Sequence, residues 1–210
     1  RYWIWGAAVA TSSLLMAGCG SAPVQKAAPQ KEQRVFSLKR QRGDDASVER
    51  LAKAHAHYSA GIILEMDGEP RAAAEEYYQA AMLDPDDEEL VLEVSRHLLQ
   101  SKQTDRALEV VTRAAARPNA SGDIYARLGL IYAQLGKVDQ AAAANRTAIK
   151  KSPGLLSGYQ NLYQSYLEKK QPQEALKLLD EAARQPRPDA GFLIGVAELY
   201  MGFGVKVPAE

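Results

Sequence analysis

The sequence predicts an all-α protein, a solenoid of stacked antiparallel helix hairpins. Three observations predict it. Alanine recurs at a step of 34 residues, at Ala73, Ala107, Ala141 and Ala175 and again at Ala80, Ala114, Ala148 and Ala182. A position of small residues, broken only at Tyr163, keeps the same step at Gly61, Ser95, Gly129 and Ala197. Proline closes each unit at Pro85, Pro118, Pro153 and Pro186, within one residue of register. Helices of one hairpin that cross closely need almost no side chain at the contact, while bulky residues fill the layer shared with the next hairpin. Proline suits the first turn of the following helix, where its missing N–H would have no partner. A competing reading is an alanine-rich bundle with chance spacing. It would have to place eight alanines at two positions in four copies without a gap in register.

Residues 1–19 stand apart. Arg1 precedes an apolar run from Tyr2 to Gly18 that includes Trp3, Ile4, Trp5, Val9, Leu14, Leu15 and Met16. The run is short for a membrane span and too apolar for a solvent-facing helix. It ends in Leu15-Met16-Ala17-Gly18-Cys19, which resembles the lipobox of bacterial lipoprotein signal peptides. That resemblance implies cleavage before Cys19, a lipid on its thiol and export to the cell envelope. Gly20, in place of Asp, implies the outer membrane, periplasmic face, where the cell has one. Met16 departs from the usual Leu, and only Arg1 represents the basic start; the sequence has no initiator Met, so a residue before Arg1 is expected. The alternatives are an uncleaved membrane anchor and an ordinary secretory signal with an incidental cysteine.

Residues 20–46 read as a flexible tether. Pro23, Pro29, Ala27, Ala28 and several Gln and Lys give no sustained apolar period. Lys26, Lys31, Arg34, Lys39, Arg40 and Arg42 outnumber Glu32 until Asp44 and Asp45 reverse the sign. A basic tether could favour anionic lipid; a solvated spacer is the plainer reading. Flexible, it would reach roughly 30 Å.

The solenoid is expected over 47–204, with repeats at 54–87, 88–121, 122–155 and 156–189, a half repeat from 190, and a tail or remainder at 205–210. Each repeat has a first helix, A, and a second, B. The first A helix should start near Ser47 and end near Met66, and Glu69-Pro70 should open its B helix, which ends near Leu83. Asp84-Pro85 and the acids Asp86–Glu89 open the second A helix, where first-turn carboxylates suit the helix dipole. The second B helix covers about Thr104–Ala116. Ser121 is the expected N-cap of the third A helix, and Gly136 separates it from its B helix. Ser152-Pro153 opens the fourth A helix and Gln171-Pro172 its B helix. The last helix, about Ala190–Met201, repeats the A pattern with Leu193, Val196, Ala197 and Tyr200. Phe192, Ile194, Leu199, Met201 and Phe203 leave it apolar around much of its circumference, so a further helix or another chain should cover it.

These residues resemble the tetratricopeptide repeat family. The third copy supplies Tyr125, Leu128, Gly129, Tyr132, Ala141, Ala148 and Pro153, and the first Gly61, Gly68, Ala73, Tyr77, Ala80 and Pro85. The fourth supplies Tyr159, Leu162, Tyr166, Ala175, Leu179 and Ala182; the second, the poorest match, Val91, Val94, Leu98, Ala107, Val111 and Ala114. Tyr163 departs from the family's small residue, so the fourth copy is expected to pack more loosely or with a shift. The resemblance implies a right-handed superhelix whose concave face, lined by the A helices, binds protein segments.

Composition narrows the rest. Lys+Arg and Asp+Glu are both 26, a balance that disfavours nucleic acid, which needs a basic footprint. A single cysteine excludes an internal disulfide and a cysteine-rich metal cluster. His55 and His57 sit two apart on a helix, so they cannot chelate together, and His97 stands alone. Gly129 to Gly136-Lys137 has the wrong spacing for a phosphate loop, with Val138 where Ser or Thr belongs. The sequons at Asn119 and Asn145 are common by chance, and a bacterial signal argues against their use. No nucleophile has a plausible base, so no enzyme and no cofactor are expected.

The resemblance maps groove positions onto Tyr58, Ile62 and Glu65, then Leu92, Arg96 and Leu99, then Asp123, Ala126, Leu130 and Gln134, and finally Gln160 and Gln164. Tyr58, Ile62 and Glu93 stand where the basic clamp for C-terminal carboxylates would need polar or basic groups. The expected function is a lipid-anchored adaptor or scaffold of the bacterial envelope that binds partner segments. Pilus and secretion-system assembly are among the roles the resemblance implies. The alternatives are the targeting region of a larger envelope enzyme and a solenoid that self-associates through its apolar last helix. A further possibility is that residues 35–50 of the same chain fill the groove.

Overall fold

The computed structural model describes residues 30–186 and 188–206, with side chains described within 45–204. The segment read as a signal peptide, its Cys19 and the first part of the tether lie outside the described residues. Among the described residues the elements are all helical: α1 (Gln30–Met66), α2 (Pro70–Leu83), α3 (Glu88–Gln100), α4 (Thr104–Ala115), α5 (Gly122–Gln134), α6 (Val138–Lys151), α7 (Leu156–Glu168), α8 (Pro172–Ala183) and α9 (Ala190–Lys206). The solenoid belongs to a compact unit that begins at Gly43, and the start of α1 belongs to another, ending at Arg42. Consecutive helices pack as antiparallel hairpins. The A-type helices α3, α5, α7 and α9 also touch in series, and α2 touches α4, which makes two layers.

Two boundaries differ from the sequence expectation. Helix α1 begins at Gln30 rather than near Ser47, so residues 30–46 are helical. They lack an apolar period but are rich in Gln, Lys, Glu and Arg, which lose little rotamer freedom in a helix. Once a helix is nucleated, each added residue needs only its own bond. Helix α9 likewise runs on to Lys206.

The prolines between hairpins are also placed differently. Pro85, Pro118 and Pro153 fall three or four residues before α3, α5 and α7, not in their first turns. They end the preceding helix because they cannot continue its hydrogen bonding. The next helix is then capped separately: Asp87 Oδ1 accepts from the Leu90 N–H at 3.0 Å, and Ser121 Oγ from the Ile124 N–H at 3.5 Å. Only Pro70 and Pro172, at the start of B helices, occupy the first-turn position.

The A-to-B turns repeat with the same step as the alanines. Gly68, Lys102, Gly136 and Lys170 all have positive φ, between 55° and 79°. At each, the following N–H bonds back to a carbonyl five residues earlier, at 2.8 Å for Glu69 to Leu64, Gln103 to Leu98 and Lys137 to Tyr132, and 2.9 Å for Gln171 to Tyr166. This is the Schellman closure, which satisfies the last carbonyls of the A helix. Two copies tolerate lysine in the left-handed conformation that glycine adopts freely.

All eight ladder alanines are at most 2% exposed. The small A-helix position is buried too, except at the exposed Ala197: a Cβ on Gly61 would lie 2.6 Å from the Tyr77 ring, and one on Gly129 would lie 2.2 Å from Asn145 Oδ1. Buried Ser95 satisfies its hydroxyl on the Leu92 carbonyl at 2.7 Å. Tyr163 is accommodated in the core at 4% exposure. The apolar core falls into two clusters, one over α1–α5 and one over α7–α9, each reaching onto α6. A polar seam lies between them. Asn161 Nδ2 donates to the Ala126 carbonyl at 3.1 Å and to Asn145 Oδ1 at 3.4 Å, while the fully buried Asn145 Nδ2 has no hydrogen bond among the described residues. Burial also removes the Asn145 sequon from the surface.

The face of α9 is less bare than its composition predicts. Phe192 is buried, edge-to-face with Tyr159 at 5.5 Å, and Leu199 and Phe203 are half-covered. Leu193, Ile194 and Met201 remain exposed, at 45%, 61% and 67%.

A candidate protein-binding groove

Three A-type helices build one groove. Helix α1 contributes His55 and Tyr58; α3, with its cap, contributes Asp87, Glu88, Glu89, Leu90, Leu92 and Glu93; α5, with its cap, contributes Ser121, Asp123 and Arg127. The space is about 680 Å³. The helices present these residues because their opposite faces are committed to the core through Ala54, Val91, Val94, Ile124 and Leu128.

Tyr58 forms part of the groove wall and leans on Tyr77, ring centroids 5.6 Å apart. Burial raises the Tyr58 phenol above its ordinary range, with the Glu93 carboxylate adding to the effect. Tyr77 is fixed in turn: its ring stacks on His97 at 4.3 Å and its hydroxyl donates to Glu65 Oε2 at 2.7 Å. His97, which stands alone in sequence, is thus packed beside Glu65 and Glu93, with ring nitrogens 3.3 Å from an oxygen of each.

Several groove charges are held in place. Arg96 donates to both oxygens of Glu93, at 2.5 and 3.3 Å, and these bonds hold the Glu93 carboxyl below its usual range. Glu88 Oε1 accepts from the Ser121 N–H at 2.8 Å and so ties α3 to α5. Arg127 makes no hydrogen bond or ion pair among the described residues. Burial lowers its guanidinium from the ordinary value, and the nearby charge of Arg96 lowers it further.

The structure sorts the positions expected from sequence. Tyr58, Leu92 and Asp123 line this groove. Ile62, 40% exposed, and Glu65 lie further along α1, with Glu65 engaged by Tyr77 and His97. Arg96 bonds Glu93 and Gln100, and Leu99 packs on the core. Ala126 is not available to a ligand, because it is 4% exposed and its carbonyl is covered by Asn161. Leu130 is half-buried; Gln134, Gln160 and Gln164 are exposed and outside the groove, with Gln164 bonded to Glu168 at 3.2 Å. Sequence reasoning missed Arg127, which sits one turn after Asp123 and on the same helix face. A second cavity, about 480 Å³ between α6, α7 and α8, contains none of the expected positions. Among the described residues no cluster of His, Cys, Asp or Glu could hold a metal, and no helix is long and apolar enough to cross a membrane.

Stacked hairpins with an open face of A-type helices define a helical-repeat solenoid. Residues 95–155 match the tetratricopeptide repeat family model. That match and the repeated hairpins around it give the chain an all-α solenoid fold of the tetratricopeptide-repeat type. Solved structures are similar. MamA is 22% identical with a TM-score of 0.52, over 79% of this chain and 94% of MamA. PilF of Pseudomonas aeruginosa is 18% identical with a TM-score of 0.52, over 84% of this chain and 87% of that one. YrrB, described as a TPR protein with an unusual peptide-binding site, is 21% identical with a TM-score of 0.53, over 80% and 88%. No curated protein matches the sequence.

Proposed function

We propose that this protein is a lipid-anchored adaptor of the bacterial cell envelope that holds partner segments in the α1–α3–α5 groove. The observation that carries the binding role is the groove itself, with the exposed parts of Tyr58 and Leu92 over a fixed core and polar groups at the rim. Partner binding in such a groove is dominated by a few well-buried apolar contacts. Burying a side chain of this size fully is worth about 1.5–3 kcal/mol. Tyr58→Ala combined with Leu92→Ala should therefore weaken capture of a partner from envelope extract by at least about tenfold, with the helical circular-dichroism signal intact. A folded double variant that captures the same partners as the wild type removes this face from consideration.

The envelope part of the proposal rests on the sequence around Leu15-Met16-Ala17-Gly18-Cys19. One acyl chain holds a protein only marginally, so the lipid-modified cysteine of this signal class would carry more than one. The expected result is wild type in the membrane fraction with a lipid-sized mass increment, and Cys19→Ala without the increment. Equal solubility and unmodified mass for both would end the proposal.

A further inference from the structure

We infer that the α1–α3–α5 groove takes a cationic, amphipathic peptide segment of a partner protein. The inference rests on reading this groove as the protein-binding site and specifies the chemistry of what binds there. Five carboxylates line it, from Asp87, Glu88, Glu89, Glu93 and Asp123, against the guanidinium of Arg127, and Arg96 behind Glu93 offsets one of the five. The α3 and α5 amino termini offset only about half a charge each. The lining therefore keeps an excess of negative charge although the whole chain is neutral.

The negative field is also preorganised. Asp87 is held by the Leu90 N–H, Glu88 by the Ser121 N–H and Glu93 by Arg96. Carboxylates already fixed lose little further freedom when a Lys or Arg arrives, which favours affinity over swinging surface acids. Glu89 and Asp123 are exposed and complete the rim. Between these acids Tyr58 and Leu92 offer apolar surface, so the ligand must carry an apolar anchor among its cations. Arg127, half-buried and without a hydrogen bond among the described residues, has donors suited to main-chain carbonyls of the bound segment. An acidic segment would meet five carboxylates for this one guanidinium, and like charges brought together in an interface select against such a partner.

The test uses the full-length protein and a phage-displayed library of random peptides about a dozen residues long. Selected peptides are re-measured by fluorescence anisotropy on wild type, on Glu89→Gln with Asp123→Asn, and on Leu92→Ala, each checked for an unchanged helical spectrum. The expected binders are rich in Lys and Arg around an aromatic or aliphatic residue. Their affinity should fall with rising salt and drop about tenfold on the Glu89→Gln, Asp123→Asn variant. Neutral or acidic binders that require Leu92 would overturn the cationic assignment while leaving the groove as the binding site. A selection without binders sensitive to Leu92→Ala would overturn the groove and this inference with it. Sedimentation showing self-association of wild type, abolished by the Glu89→Gln, Asp123→Asn variant, would give the groove to the basic Lys31–Arg42 stretch of a second copy and overturn the assignment to a partner.

Discussion

Tyr77→Ala should destabilise the protein by about 3–5 kcal/mol, the range for losing a buried aromatic ring. Tyr77 is 2% exposed and fills the space that Gly61 leaves open between α1 and α2. Its ring carries both Tyr58 and His97, so truncation leaves a cavity and frees two neighbours at once. Alanine cannot refill that volume, because the helices are held apart by the remaining contacts of the hairpin. Tyr77→Phe keeps the ring and loses only the bond to Glu65, which should cost about 1 kcal/mol. Denaturant unfolding followed by circular dichroism separates the two. A loss below about 1 kcal/mol for Tyr77→Ala would mean that this ring does not hold the first hairpin together. Because Tyr58 leans on Tyr77, the alanine variant should also bind partners more weakly than its remaining folded fraction predicts.

Ala141→Leu should cost roughly 1–3 kcal/mol or more, the usual penalty for forcing bulk into a filled core. Ala141 is fully buried on α6, which packs extensively on α5. Leucine is a good helix former, so the loss comes from packing and not from propensity. Ala107→Leu, one repeat earlier and equally buried, should behave alike. Neighbouring repeats share interface energy, so the melting midpoint of the whole block should shift. Unchanged midpoints for both variants would contradict the register in which these alanines face their partner helices.

The fold was legible because a solenoid writes the same contact several times. One buried alanine says little, but eight at a fixed step identify the contact between two helices. Even Lys102 and Lys170, which no glycine rule would select, fall in step with Gly68 and Gly136. The start of α1 was not legible, since residues that merely tolerate a helix leave no periodic trace. The groove was legible in part. A residue's place along its helix is periodic, which found Tyr58, Leu92 and Asp123. Whether it reaches the open face depends on the neighbouring helix: Ala126 lies beneath Asn161, while the next residue, Arg127, lines the space between α1, α3 and α5. The acids of α3 were visible as helix-start residues, but only packing shows that they also border the groove.

The seam at Asn145 and Asn161 bears on how the molecule distributes a ligand's effect. Energy in a repeat array passes from neighbour to neighbour, so an effect fades with distance from the repeat where it begins. A segment held by α1, α3 and α5 adds its binding energy to the native state of those helices. Beyond the seam, α7–α9 keep a core of their own around Tyr159, Leu179 and Phe192. Binding energy added in the groove should therefore slow amide exchange in α1–α5 more than in α7–α9, which hydrogen exchange with and without a bound segment would measure.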